Sequence, residues 1–106
     1  MGTRLVRDRA LDTWRVTGAE HQVRPVNSWQ EHIDLLRAKL MEEAVEVFQA
    51  TNQRDIEKEL ADLLSVMQGL ASVHNISWHK GVIATQEERD AASGGFRVGM
   101  VWETDR

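Results

Sequence analysis

The chain has no cysteine and a single proline in 106 residues. Without cysteine it has no disulfide framework, no thiol nucleophile and no zinc–thiolate centre. No apolar run approaches the ~18 residues of a membrane-spanning helix, and the start of the chain holds no long apolar stretch. Basic surplus is missing too: 13 Lys and Arg stand against 17 Asp and Glu, a formal net charge of −4. A surface that binds phosphate backbones needs the opposite balance, so a dedicated nucleic-acid binder is disfavoured. Internal repeats and low-complexity tracts are absent. The expectation is a cytosolic protein with neither nucleic acid nor membrane as partner.

What is present is an ordinary folded composition, 42% hydrophobic and 28% charged. At this length it reads as one domain over residues 1–106 with a modest core. Thr3–Val6 is a short apolar run fit for a strand, and Asp8 can cap a short helix from about Arg9 to Val16. Residues 19–27, which hold the proline, read as a connection. Ser28 with Glu31 forms a capping box for a long helix from Trp29 to about Ala50. In it Ile33, Leu36, Leu40, Ala44, Val47 and Phe48 fall on one stripe. Asn52 or Asp55 starts a second long helix, running to about His74. Its apolar face holds Ile56, Leu60, Leu63, Leu64, Met67, Leu70 and Ala71.

Ser77 can cap a third helix from Trp78 to about Ala92, ended by Ser93-Gly94-Gly95. The last run alternates, with Phe96, Val98, Met100 and Trp102 on one face, and reads as a half-buried strand. A lone strand is unstable, so it is expected to pair with Thr3–Val6. The fold class is therefore mainly α, a helical bundle with a small terminal β-pairing.

The chemistry gathers between Lys39 and Asp62. Each long helix carries acids three residues apart, Glu43 with Glu46 and Glu59 with Asp62, and residues so spaced are neighbours on a helix surface. Two packed helices can aim four carboxylates at one point, an oxygen-only set that suits Mg²⁺ or Mn²⁺ and a phosphate-bearing substrate. By helical rotation Glu43 sits at the edge of its apolar stripe, with Glu46, Lys39 and Glu42 beside it. Glu59 falls inside the apolar arc of the second helix. An ionised carboxylate there costs several kcal/mol unless a metal ion, an arginine or Lys39 pairs with it. Lys39 has two readings, a phosphate contact or an ordinary (i, i+4) ion pair with Glu43. The four tryptophans suit core or interface packing better than base stacking, and the histidines show no ligand spacing.

These residues carry a family resemblance. Glu42-Glu43-x-x-Glu46, twelve residues, then Glu59-x-x-Asp62 resembles the signature of the all-α nucleoside triphosphate pyrophosphatases. That group includes MazG-like proteins, dimeric dUTPases and phosphoribosyl-ATP pyrophosphohydrolases. Leu5-Val6-Arg7-Asp8-Arg9 and Gly94-Gly95-Phe96 resemble the phosphoribosyl-ATP pyrophosphohydrolase-like branch. The segment before Gly94 is usually more basic in that branch; here Arg89 is the nearest cation. Residues 12–27 carry no quotable match.

The resemblance implies hydrolysis of a nucleotide between its α and β phosphates. It implies Glu43, Glu46, Glu59 and Asp62 as Mg²⁺ ligands, with Mn²⁺ as an alternative ion, and Glu42 as holder or base for the attacking water. Lys39, Arg7 and Arg89 are the cations that the phosphates would meet. Phosphoribosyl-ATP, dUTP or dCTP, and modified nucleotides all remain compatible substrates. The apolar stripe of each long helix is wider than one partner helix covers: Met41, Val45 and Phe48 flank the first, Leu64 and Ala71 the second. With the resemblance, that predicts a homodimer or homotetramer. The competing reading is a non-catalytic helical dimer, or partner-binding relative, that has kept the fold.

Overall fold

The computed structural model describes residues 2–10 and 23–104. Helix α1 spans Trp29–Gln49 and helix α2 spans Gln53–Val73. A π-helical turn, Trp78–Ile83, runs directly into helix α3, Ala84–Ser93. No helix among the described residues is long and apolar enough to cross a membrane.

Both long helices begin where their capping residues dictate. Ser28 Oγ accepts the Glu31 N–H at 3.0 Å, and Asn52 Oδ1 accepts the Asp55 N–H at 2.9 Å, satisfying donors that no earlier turn can reach. The return half of the capping box lands one residue early: Glu31 Oε1 accepts the Asn27 N–H at 2.7 Å. Arg24 grips the same carboxylate through both of its oxygens, at 3.0 and 2.7 Å. These contacts lower the Glu31 carboxyl to about 2, the Arg24 hydrogen bonds first and the Asn27 N–H second.

Only Ala50, Thr51 and Asn52 separate α1 from α2, so the two helices fold back as a hairpin. Trp29 Nε1, at the start of α1, donates to the Val73 carbonyl at the end of α2 across 2.9 Å, which fixes the antiparallel pairing. Close approach midway depends on Gly69, where an added Cβ would come within 3.2 Å of Leu36 Cδ2. α2 ends in a Schellman motif: Ile76 N–H bonds the Ala71 carbonyl at 2.9 Å and Asn75 N–H bonds the Ser72 carbonyl at 3.0 Å. Asn75 takes φ 58°, a left-handed conformation that asparagine tolerates better than most residues.

The third helix covers its expected span in two geometries, and two other sequence expectations are corrected. The Ser77 carbonyl accepts from both Gly81 and Val82, at 2.9 and 3.2 Å, and this widens the first turn into π geometry before α3 begins. The terminal β-pairing is absent: there is no strand among the described residues, and Phe96, Val98, Met100 and Trp102 stand at least 86% exposed. Alternation gave those residues a common face, but among the described residues nothing covers it. The buried order of the acids is also reversed, since Glu43 rather than Glu59 lies deepest. The short helix expected over 9–16 falls largely outside the described residues.

The core is small. Among the described residues Ala10, Ile33, Leu36 and Ala71 are its buried apolar members, and Glu43 is the buried charged one. Meanwhile Met41, Val45 and Phe48 on α1 and Leu60, Leu64 and Met67 on α2 are exposed.

Candidate metal centre

The acid motifs meet on the seam between α1 and α2. Glu43 and Glu46 come from one helix and Glu59 from the other, and each offers an oxygen within 4.8 Å of the other two. The i, i+3 spacing in α1 and the antiparallel packing of α2 produce this convergence. Glu43 is 6% exposed, and its Oε2 has no hydrogen-bond partner. Glu59 Oε1 is likewise buried without one, with Lys58 Nζ 3.6 Å away. The cluster opens onto a shallow cleft of about 270 Å³ lined by Glu46, Gln49, Ala50, Asp55 and Glu59.

The remaining acids are occupied by cations. Glu42 Oε2 accepts from Lys39 Nζ at 3.0 Å and from Arg4 Nη2 at 3.2 Å. Lys39 also stands 3.6 Å from Glu43 Oε1, its (i, i+4) neighbour. Asp62 Oδ1 accepts from Arg7 Nη2 at 2.6 Å, while its Oδ2 accepts from Lys58 Nζ at 3.1 Å. Burial pushes the Asp62 carboxyl up, but the hydrogen bonds and charges of Lys58 and Arg7 outweigh it and hold the group below its ordinary range. Lys58 is correspondingly raised, chiefly by its hydrogen bond to Asp62 and by that charge.

Of the acids read from the sequence, then, three converge, while Glu42 and Asp62 flank them in ion pairs. Arg89 is elsewhere: α3 packs on the π-helical turn and touches neither α1 nor α2, and Arg89 lines an open depression with Glu88, Asp90 and Gly94–Phe96. Sequence reasoning missed two residues. Lys58 was legible as an (i, i+4) partner of Asp62. Arg4 had no such signal, because its partner lies 38 residues along the chain.

The three-acid cluster fits a hard divalent cation. Its donors are all carboxylate oxygens, the ligand type that Mg²⁺ and Mn²⁺ take. Opposite ligands on an ion of that size stand ~4.2 Å apart (twice a ~2.1 Å bond), close to the observed spread. Two buried carboxylate oxygens without hydrogen bonds, contributed by facing helices, are an arrangement that a fold sustains only at a cost of ~1–3 kcal/mol each. A cation between them would remove that cost.

The family model described as phosphoribosyl-ATP pyrophosphohydrolase matches residues 14–90. That span takes in both long helices and every acid of the cluster, and leaves Arg4 and Arg7 outside. No curated protein and no solved structure matches the chain.

Proposed function

The chain belongs to the phosphoribosyl-ATP pyrophosphohydrolase family, and from that premise we propose that it is a Mg²⁺-dependent hydrolase of the α–β phosphoanhydride of a nucleotide. Family membership supports the coarse activity, a pyrophosphohydrolase-like function. The observation that carries the finer reading is the pair of buried carboxylate oxygens without a hydrogen bond, Glu43 Oε2 and Glu59 Oε1, one from each helix of a cluster whose ligand atoms lie within 4.8 Å of one another.

In this reading Glu43, Glu46 and Glu59 hold the ion, Mg²⁺ or Mn²⁺, and Asp62 joins them when released from its ion pairs. When bound, the ion neutralises charge on the phosphate oxygens. Glu42, adjacent to the ligand set but bonded to cations, holds the attacking water and takes its proton as the water oxygen bonds to the α phosphorus. The bond from that phosphorus to the bridging oxygen breaks, giving a nucleoside monophosphate and pyrophosphate. Lys39 and Arg7 border the acids and supply positive charge to the phosphates. Arg89 could act there only from another chain.

A second copy of the chain is part of the proposal. The chain exposes 9600 Å², against roughly 6,000 Å² for a folded monomer of this mass. Its radius of gyration is 17.6 Å, against about 13 Å for a compact chain of this length. The cleft at the acids, about 270 Å³, is below the range of roughly 300–1,000 Å³ that encloses small ligands. Homodimers or homotetramers that cover the exposed stripes would both bury apolar surface and deepen the site.

The test is a nucleotide panel with Mg²⁺, phosphoribosyl-ATP, dUTP and dCTP among its members, read for pyrophosphate and orthophosphate separately. Pyrophosphate with a monophosphate is the expected pair. Orthophosphate as the sole product rejects α–β cleavage. The non-catalytic alternative predicts no product from any member and no change in melting temperature on adding Mn²⁺.

A further inference from the structure

Residues 4–10 form a strap fastened across the acid face at two points. Arg4 is bound to Glu42 on α1, and Arg7 is bound to Asp62 on α2. Between them Leu5 and Val6 are half-buried, and Ala10 beyond them is buried, so the backbone is seated. The two guanidinium side chains nevertheless stand 69% and 66% exposed. Among the described ion pairs the charges nearly cancel: Glu42, Glu43, Glu46, Glu59 and Asp62 face Lys39, Lys58, Arg4 and Arg7, leaving one net negative charge. A divalent cation arriving in that cluster reverses the balance and leaves the arginines in excess.

We infer that Arg4 and Arg7 are resident counter-ions that transfer from Glu42 and Asp62 to the phosphates of an incoming polyphosphate once the cation is in place. The inference rests on the metal-dependent reading above. Exposed guanidinium–carboxylate pairs are weakly held, and the same guanidinium makes stronger, two-pronged bonds to phosphate. The transfer does two further things. It frees Asp62 Oδ1 to turn toward the cluster, and it removes one of the two cations from Glu42 Oε2 when a water must be held there. The strap therefore couples substrate arrival to completion of the site, and its ligand class is a pyrophosphate-bearing anion.

The experiment measures two affinities on the full chain carrying Arg4→Gln and Arg7→Gln together. Mn²⁺ alone is titrated by calorimetry or by loss of the free-ion electron-spin signal, and inorganic pyrophosphate is then titrated in saturating Mn²⁺. The expected result is opposite signs: Mn²⁺ binds at least threefold tighter, because competing cations are gone, and pyrophosphate binds at least tenfold weaker. A merely structural strap weakens both. Unchanged or weaker Mn²⁺ binding, or unchanged pyrophosphate affinity, overturns the exchange. Arg24→Gln, which removes one positive charge just before α1 as each single variant does, should shift Mn²⁺ affinity less than twofold. The single variants carry the same signs and decide the matter if the double variant loses helical signal. Should the wild-type chain itself bind no Mn²⁺, the metal-dependent reading falls; should it bind Mn²⁺ while the variants match it, the exchange alone falls.

Discussion

Replacing Glu43 by glutamine should make the metal-free protein more stable and the metal-loaded protein less stable than wild type. The side chain is 7% exposed, Oε2 is partnerless, and Oε1 has only a distant pairing with Lys39, at 3.6 Å. An unsatisfied buried charged oxygen costs ~1–3 kcal/mol, while the lost attraction to Lys39 is worth about 1 kcal/mol or less. The neutral amide, of the same shape, should therefore gain on the order of 1 kcal/mol without metal. For a domain of this size that raises Tm by about 4–8 °C. With Mn²⁺ at ~100 times its Kd, wild type gains ~2.7 kcal/mol by mass action, and the variant, short of one ligand charge, gains little. The two melting curves should change order between EDTA and Mn²⁺. Calorimetry at one fixed protein concentration reads this directly, since an oligomer's Tm depends on concentration. A variant that melts lower than wild type in EDTA, with unchanged helicity, shows that Glu43 is satisfied in the fold and refutes the reasoning.

Three more outcomes follow from the same contacts. Glu59→Gln should lower pyrophosphate release by at least ~100-fold with the circular-dichroism spectrum intact, as befits the loss of a ligand charge at a site that neutralises phosphate; retention of most turnover removes α2 from the ligand set. Glu31, ordinarily near 4.5 and lowered to about 2 in the fold, stabilises at pH above its ordinary value, and that contribution disappears as the pH falls through about 2. Urea midpoints compared at pH 7 and pH 3 should therefore fall less for Glu31→Gln than for wild type, and equal falls contradict the clamp. Phe48→Asp and Leu64→Asp, at residues 88% and 41% exposed in the single chain, should shift light-scattering mass toward 12.1 kDa at micromolar concentration; wild type already at that mass removes the oligomer.

Much of this arrangement was legible because it is local. Ser28, Asn52 and Ser77 each accept the backbone N–H three residues on, as their side chains and positions foretell. The convergence of Glu43, Glu46 and Glu59 needs only helical spacing and a short loop. What could not be read depends on contacts distant in sequence. The depth of Glu43 is set by how α2 crosses α1, and rotation about one helix axis does not contain that information. Alternation in residues 96–102 was a true pattern without a partner to pair with, since periodicity states which residues share a face and not what covers it. Arg4 reaches Glu42 across 38 residues, and nothing about an isolated arginine near the start of a chain foretells that.

The exposed apolar residues do not stand in one place relative to the acids, and this bears on what a second copy can do. Taking each helix at about 100° per residue, Met41, Val45 and Phe48 lie roughly opposite Glu43 on α1. A copy seated on them covers the back of the hairpin and reaches no carboxylate. On α2, Leu60 and Met67 lie about a quarter-turn from Glu59, on the flank that borders the cluster, with Leu64 farther round. None of these three residues lines the cleft, but Glu59, which does, is their neighbour on α2. The α2 flank is therefore the surface through which a neighbouring chain could complete a nucleotide pocket. The α1 back is a packing surface whose loss should change assembly before it changes chemistry. The division of labour we propose is that the acid cluster on the seam of one chain holds the cation while a neighbouring chain supplies a wall of the pocket.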